Sequence, residues 1–173
     1  YAVSDNILRD FHLERMRILD RSNADILACE TIPSMQEARI LSDLLFDVDK
    51  PVWISFSCQD EQHLNDGSKI KECVSLFRDH PKVFAVGVNC TNPKFISDII
   101  QSIKSSVGDK KIIVYPNSGE AYNAQSKTWM GMSEPKYFVE MSKEWTDLGA
   151  DIIGGCCRIG PDHIRRISDR FKQ

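Results

Sequence analysis

Continuous apolar runs alternate with amphipathic stretches along this chain, and the alternation repeats five times. The runs are Ala24–Cys29, Val52–Cys58, Val83–Cys90, Lys111–Tyr115 and Ala150–Gly154. None shows a strict period of two, which is the pattern of strands buried on both faces of a parallel sheet. The stretches between them have helical spacing and helix start signals. Ser34-Met35-Gln36-Glu37 reads as a capping box, followed by Ala38, Leu41, Leu44 and Leu45 on one face. Asn92-Pro93 supplies an N-cap and a proline at the first helical position, ahead of the stripe Phe95, Ile96, Ile99, Ile100 and Ile103. Ser133 precedes a helix with Phe138, Met141, Trp145 and Leu148 inward, and Gly149 stops it. Gly160-Pro161 opens a last helix with Ile164, Ile167 and Phe171 inward, and a helix capped by Asp5 precedes the first strand with Ile7, Leu8, Phe11, Ile18 and Leu19 as its buried stripe.

Strand–helix repetition predicts an α/β fold. Two arrangements accommodate five units in 173 residues. One is an open sheet. The other is the last five strand–helix units of a (β/α)8 TIM-type barrel, which typically needs ~250 residues. The chain starts inside a helix with no strand before it, which fits a C-terminal part of such a barrel. Two connections after strand ends are longer than packing requires: Cys58 to Gly67, and Asn117 to Met132. In α/β folds that end of the sheet holds the ligand.

Composition narrows the function. The net charge is −3 and there is no basic patch of the nucleic-acid type. No apolar run approaches the ~20 residues of a membrane span, and no signal peptide is visible at Tyr1. Neither nucleic acid nor a membrane is expected as a partner. Six cysteines invite a disulfide framework, but five of them end strand-like runs and Cys73 falls on a helix face. That is the distribution of reduced cysteines in a cytoplasmic α/β protein.

Chemistry concentrates at two strand ends. Gly154-Gly155-Cys156-Cys157 closes the last run and Cys90 closes Gly87-Val88-Asn89-Cys90. Three thiols there would form an unfinished tetrahedral zinc site whose open fourth place suits another thiol. Adjacent strand residues point to opposite faces, so the chain must turn at the cysteine pair, and the two glycines permit it. The competing interpretation is buried, unliganded cysteine, which is preferred for Cys29, Cys58 and Cys73.

These segments resemble the zinc-dependent homocysteine S-methyltransferases. Ala24–Pro33 with Glu37-Ala38, and Tyr115-Pro116-Asn117-Ser118-Gly119-Glu120, are similar to the family as well. The latter looks most like the branch that uses S-methylmethionine or S-adenosylmethionine. The resemblance implies a (β/α)8 barrel lacking roughly its first three strands, one zinc on Cys90, Cys156 and Cys157, homocysteine sulfur in the fourth place, and methyl transfer from a sulfonium to give methionine. It also supports Glu30 as partner of the substrate amino group, where a solvated loop acid or helix cap is the alternative. Asn89 is a candidate for substrate binding or for satisfying a strand-end carbonyl. Asn117, Ser118 and Glu120 are candidates for donor contact, with a plain turn at Gly119 as the alternative. Trp129 is either a cation–π partner of the sulfonium or a lid residue. His12, His80 and His163 fall on helices; His63, in a loop, is a minor site candidate. There is no Ser-His-Asp pattern, P-loop or dinucleotide fingerprint. Two further readings are a redox switch at the vicinal Cys156-Cys157 pair and a non-catalytic zinc-binding domain.

Overall fold

The computed structural model describes residues 3–131 and 134–172. Its elements are α1 (Asp5–Asp20), β1 (Leu27–Ile32), α2 (Met35–Leu44), β2 (Val52–Phe56), α3 (Ile70–Ser75), β3 (Val83–Asn89), α4 (Ile96–Ile103), β4 (Lys111–Tyr115), β5 (Ala121–Asn123), β6 (Thr128–Met130), α5 (Pro135–Leu148), β7 (Ile152–Ile153) and α6 (Pro161–Phe171). Among the described residues, β1-β2-β3-β4-β7 form one parallel sheet in chain order, and β5 and β6 form a separate antiparallel hairpin. Strands that follow chain order with right-handed crossovers put every connecting helix on one face. The helices accordingly pack on their neighbours, α3 on α4, α4 on α5 and α5 on α6.

That one-sided winding explains the core. Val52, Ile54, Phe56, Val86, Val88, Ile112 and Val114 face the helices and are buried with Leu41, Ile99, Ile100, Ile103 and Trp145. The same strands carry Trp53, Ser55, Asn89 and Tyr115 at intervening positions, and these residues hydrogen-bond to one another or in series. Apolar continuity and a polar second set therefore coexist in the same short strands.

Two start signals hold in atomic detail, whereas Asp5 does not cap α1: its N-cap is Ser4, which makes no side-chain cap bond. The Ser34 hydroxyl accepts from the Glu37 N–H at 3.2 Å, and the Asn92 side chain accepts from the Lys94 N–H at 3.1 Å. The Glu37 carboxylate does not close the capping box; it pairs with His12 of α1 at 2.8 Å. Gly149 stops α5 at φ +121°, where a Cβ would be strained. Ser133 lies outside the described residues.

Three further expectations are corrected. Most of the α1 stripe faces outward: Ile7 and Ile18 are 62% and 64% exposed, and Phe11 and Leu19 are exposed too, while Leu8 packs against the core and His12 and Met16 are buried. In this rotation Arg9–Asp43 and His12–Glu37 both tie α1 to α2. In α6, Ile167 and His163 are buried but Ile164 and Phe171 are exposed. The first strand begins at Leu27 rather than Ala24 and continues past Cys29 through a register shift.

His80 gives the fold a pH dependence. It is buried between Phe46 and Phe77. Its Nε2–H donates to the Ser42 carbonyl at 3.0 Å and its Nδ1 accepts from the Lys82 N–H at 3.3 Å. Burial lowers its pKa below the usual value, with Lys110 and Lys82 acting in the same direction. The unfolded chain therefore takes up a proton near pH ~6.5 that the folded chain resists, so stability is full above that value and falls below it. The urea midpoint is expected to drop between about pH 6.5 and 5, and His80→Gln to flatten that slope. An unchanged slope in the variant would assign the loss to other groups.

Candidate metal centre and substrate site

The site is built at the carboxyl ends of the strands. Main-chain bonds lace the loops there: Cys90 N–H to the Tyr115 carbonyl at 3.3 Å, Gly154 N–H to Val114 at 2.9 Å, Cys156 N–H to Pro116 at 2.8 Å, and Ser118 N–H to Cys157 at 3.1 Å. The chain turns at Gly154-Gly155, as the vicinal cysteines require. A side chain on Gly155 would collide with Ile159. Cys90 and Arg158 adopt left-handed backbone at φ +46° and +66°, and Thr31 at +63°. Such outliers collect where surrounding contacts hold a functional geometry.

Cys90, Cys156 and Cys157 are brought together with all three sulfurs within 4.8 Å, and they are the one such cluster of potential ligands among the described residues. Cys90 and Cys156 are joined as a disulfide, with Cα atoms 5.5 Å apart. Cys157 is free, with its sulfur 3.8 Å from Cys90 and 3.9 Å from Cys156. The expected thiols meet. The pairing joins two strand ends, and the sulfurs of the vicinal Cys156 and Cys157 lie 3.9 Å apart.

The donor set fits zinc. Sulfurs at ~2.3 Å from a tetrahedral ion lie about 3.8 Å from each other. Two of the three separations already have that value. The third requires reduction of the disulfide. The remaining cysteines are unsuited: burial pushes the Cys29 thiol to about 11 and those of Cys58 and Cys73 to about 12.

Beside the thiols lies a polar network that composition and spacing do not reveal. The register shift in β1 places Glu30 and Thr31 opposite Ser55, between the pairs Cys29–Ile54 and Ile32–Phe56. Bulges of this kind re-aim side chains beside active sites. Glu30 Oε2 accepts from the Tyr115 hydroxyl at 3.0 Å. The Tyr115 oxygen also meets Trp53 Nε1–H at 3.1 Å and makes a short contact with Ser55 Oγ. Asn89 is buried below, accepting from the Thr31 N–H at 2.8 Å, with Ser55 Oγ 2.9 Å from its Oδ1, and donating to Thr31 Oγ1 at 2.7 Å. Its amide thus clamps Thr31 in its left-handed conformation.

The longer loop contains the unforeseen hairpin β5–β6, with Tyr122 against Trp129 at 5.1 Å. Its signal was there to be seen: Tyr and Asn, then Thr and Trp, flank a polar turn. Asn117 accepts from the Gly119 N–H, and the Ser118 hydroxyl donates to Glu120. Glu120 binds Arg158 through both carboxylate oxygens, at 2.7 and 3.2 Å. The Arg158 guanidinium sits 5.1 Å over the Trp129 ring. The cation on Trp129 is therefore Arg158, and Glu120 anchors the residue that follows Cys157. His63 pairs with Asp60 at 3.0 Å, within its own loop.

A singly wound α/β sheet with three cysteines converging at its carboxyl edge defines an α/β protein whose thiol cluster could hold a metal ion. The profile of the homocysteine S-methyltransferases matches residues 1–171, and the chain belongs to that family. It is 41% identical over 169 residues to homocysteine S-methyltransferase YbgG of Bacillus subtilis, covering 97% of this chain and 53% of the relative. It is 44% identical over 169 residues to homocysteine S-methyltransferase 2 of Arabidopsis thaliana, covering 95% and 50%. The chain thus spans about half the length of the curated relatives it matches. The homocysteine methyltransferase MmuM of Escherichia coli, solved in metallated and oxidised forms, aligns with TM-scores of 0.82 and 0.83 at 31% and 32% identity, in each case over 98% of this chain and 53% of MmuM in its metallated form.

Proposed function

We propose that this chain carries the metal and acceptor side of a zinc-dependent homocysteine S-methyltransferase, which moves a methyl group from a sulfonium, S-methylmethionine or S-adenosylmethionine, to homocysteine and yields methionine. The convergence of Cys90, Cys156 and Cys157 carries this proposal. We also take residues 1–173 as the C-terminal part of a single (β/α)8 barrel domain, as the one-sided winding and the half-length coverage support. A reducing, cytoplasmic setting is what the ligand set needs.

The three thiolates, once reduced, would hold one zinc. The metal held there would supply a Lewis acid able to keep a fourth sulfur ligand deprotonated at neutral pH, where a free thiol near pKa ~8.5 is mostly protonated and unreactive. The chain's own residues supply the rest. Glu30 pairs with the acceptor's ammonium, with Tyr115 occupying one of its oxygens. Asn89 supports the site from below by holding Thr31. Asn117, Ser118 and Glu120 border the cluster through the Ser118–Cys157 main-chain bond, and we assign them to the donor side. A sulfonium leaves as a neutral thioether, so no acid is needed for the leaving group. The protein's task is to align sulfur, methyl and sulfur and to exclude water.

A second reading rests on the Cys90–Cys156 disulfide. It and the three-thiolate set exclude each other, so oxidation of the pair to the disulfide would disable the site and a dithiol would restore it. One experiment covers both readings. The protein, expressed with its native flanking sequence, is expected to methylate homocysteine from S-methylmethionine only after reduction and zinc loading. Activity that persists in the oxidised, zinc-free protein would sink the proposal.

A further inference from the structure

We propose that Tyr115 is a positioning residue that sets the span between the two ends of the acceptor, its nitrogen and its sulfur. This rests on Glu30 as the partner of the acceptor's amino group and on the cysteines as the sulfur end.

Tyr115 reaches both ends at once. Its carbonyl accepts from the Cys90 N–H at 3.3 Å, and its hydroxyl holds Glu30 Oε2 at 3.0 Å. It pairs in register with Asn89, the residue before Cys90. Glu30 itself is exposed and stands on a bulge, so little else limits its rotamers. A carboxylate in that position loses side-chain freedom when it binds a cation, and holding one oxygen beforehand removes part of that cost.

The proton count favours this direction. Two hydroxyl protons, on Ser55 and Tyr115, serve three links: Tyr115 to Glu30, Ser55 to Tyr115, and Ser55 to Asn89. Asn89 Oδ1 already has the Thr31 N–H as donor. An ionised carboxylate is the strongest acceptor of the set, so the Tyr115 proton goes to Glu30. The Ser55 proton then goes to Tyr115, whose oxygen also accepts from Trp53 Nε1–H. Two donors onto one hydroxyl fix its position and strengthen its outgoing bond. Ser55 is fully buried and Asn89 is 1% exposed, so the base of this chain is rigid.

Tyr115→Phe keeps the ring and the carbonyl that Cys90 uses, and removes the bond to Glu30. Two acceptors separate positioning from general damage: homocysteine, and 4-mercaptobutanoate, which has the same thiol without the amino group. The variant is expected to raise KM for homocysteine about tenfold, the usual scale for one hydrogen bond to a charged group. KM for 4-mercaptobutanoate and the zinc content should not change. Equal changes for both acceptors, or none for either, would overturn the proposal. Glu30→Gln separates the underlying assumption. If it penalises homocysteine selectively and Tyr115→Phe does not, Glu30 keeps its role and the positioning role of Tyr115 fails. If Glu30→Gln leaves the preference between the two acceptors unchanged, the amino-group assignment fails and takes the proposal with it. Should Tyr115→Phe not fold, Ser55→Ala removes the donor behind the Tyr115 hydroxyl. It is expected to shift the ratio of the two KM values about threefold in the same direction, and an unchanged ratio overturns the proposal.

Discussion

Replacing Cys157 with alanine is expected to remove bound zinc and methyl transfer together. Cys157 is the exposed member of the triad and the one outside the disulfide, with its sulfur 3.8 and 3.9 Å from the other two. Without it, two thiolates remain and a fourth-place thiol cannot complete a four-coordinate site. Loss of a residue that merely orients a ligand typically costs 10–100-fold in metal affinity or activity, and loss of a ligand itself should exceed that. We expect transfer to fall more than about 100-fold. The thermal midpoint of the reduced, zinc-free protein should hardly move, because an exposed side chain contributes little packing. Metal analysis and a methionine assay on the same preparation check this. Retained zinc with retained transfer would show that Cys157 is not a ligand.

Gly87→Ala is expected to cost more stability than any conservative surface change, about 3–5 kcal/mol. Gly87 lies in β3 between Ser55 of β2 and Ile113 of β4. A Cβ there would collide with the Ile113 carbonyl oxygen and lie 2.7 Å from its carbonyl carbon. Those are backbone atoms of a paired strand and cannot rotate away, so the ladder between β3 and β4 must open. Overpacking that side chains can absorb costs ~1–3 kcal/mol, and this case sits above that range. The same opening would displace Asn89 and Cys90, so zinc affinity should fall in parallel. Urea unfolding measures it: the midpoint should drop sharply at an unchanged slope. A midpoint within error of the parent would mean that the strands are not packed as described.

The strand–helix alternation and the convergence of three cysteines were legible in the sequence, for physical reasons. Strands buried against helices need unbroken apolar runs, and a vicinal cysteine pair past two glycines has no packing advantage to explain it. The register of each element was less legible. Apolar Ile7, Phe11 and Ile18 make a convincing stripe, yet α1 buries His12 and Met16 and pairs with α2 through His12–Glu37 and Arg9–Asp43, and no hydrophobic period encodes those contacts. The Glu30–Tyr115–Ser55–Asn89 network could not be read either. It joins residues 34 to 85 positions apart. It depends on a register shift in β1 that breaks the simple strand pattern. Glu30 and Asn89 stood out singly through their positions at strand ends; Ser55, Trp53 and Tyr115 looked like ordinary strand residues. Trp129 was noticed for its ring, but its cation proved to be Arg158, brought close by a hairpin that the loop's polarity concealed.

The most direct test of the metal centre is the zinc X-ray absorption spectrum of the reduced, zinc-loaded protein, recorded with and without homocysteine. Three sulfur neighbours at ~2.3 Å, rising to four when homocysteine is added, are expected from Cys90, Cys156 and Cys157 with the acceptor thiol in the fourth place. A first shell dominated by nitrogen or oxygen, or a sulfur count that homocysteine does not change, would contradict it.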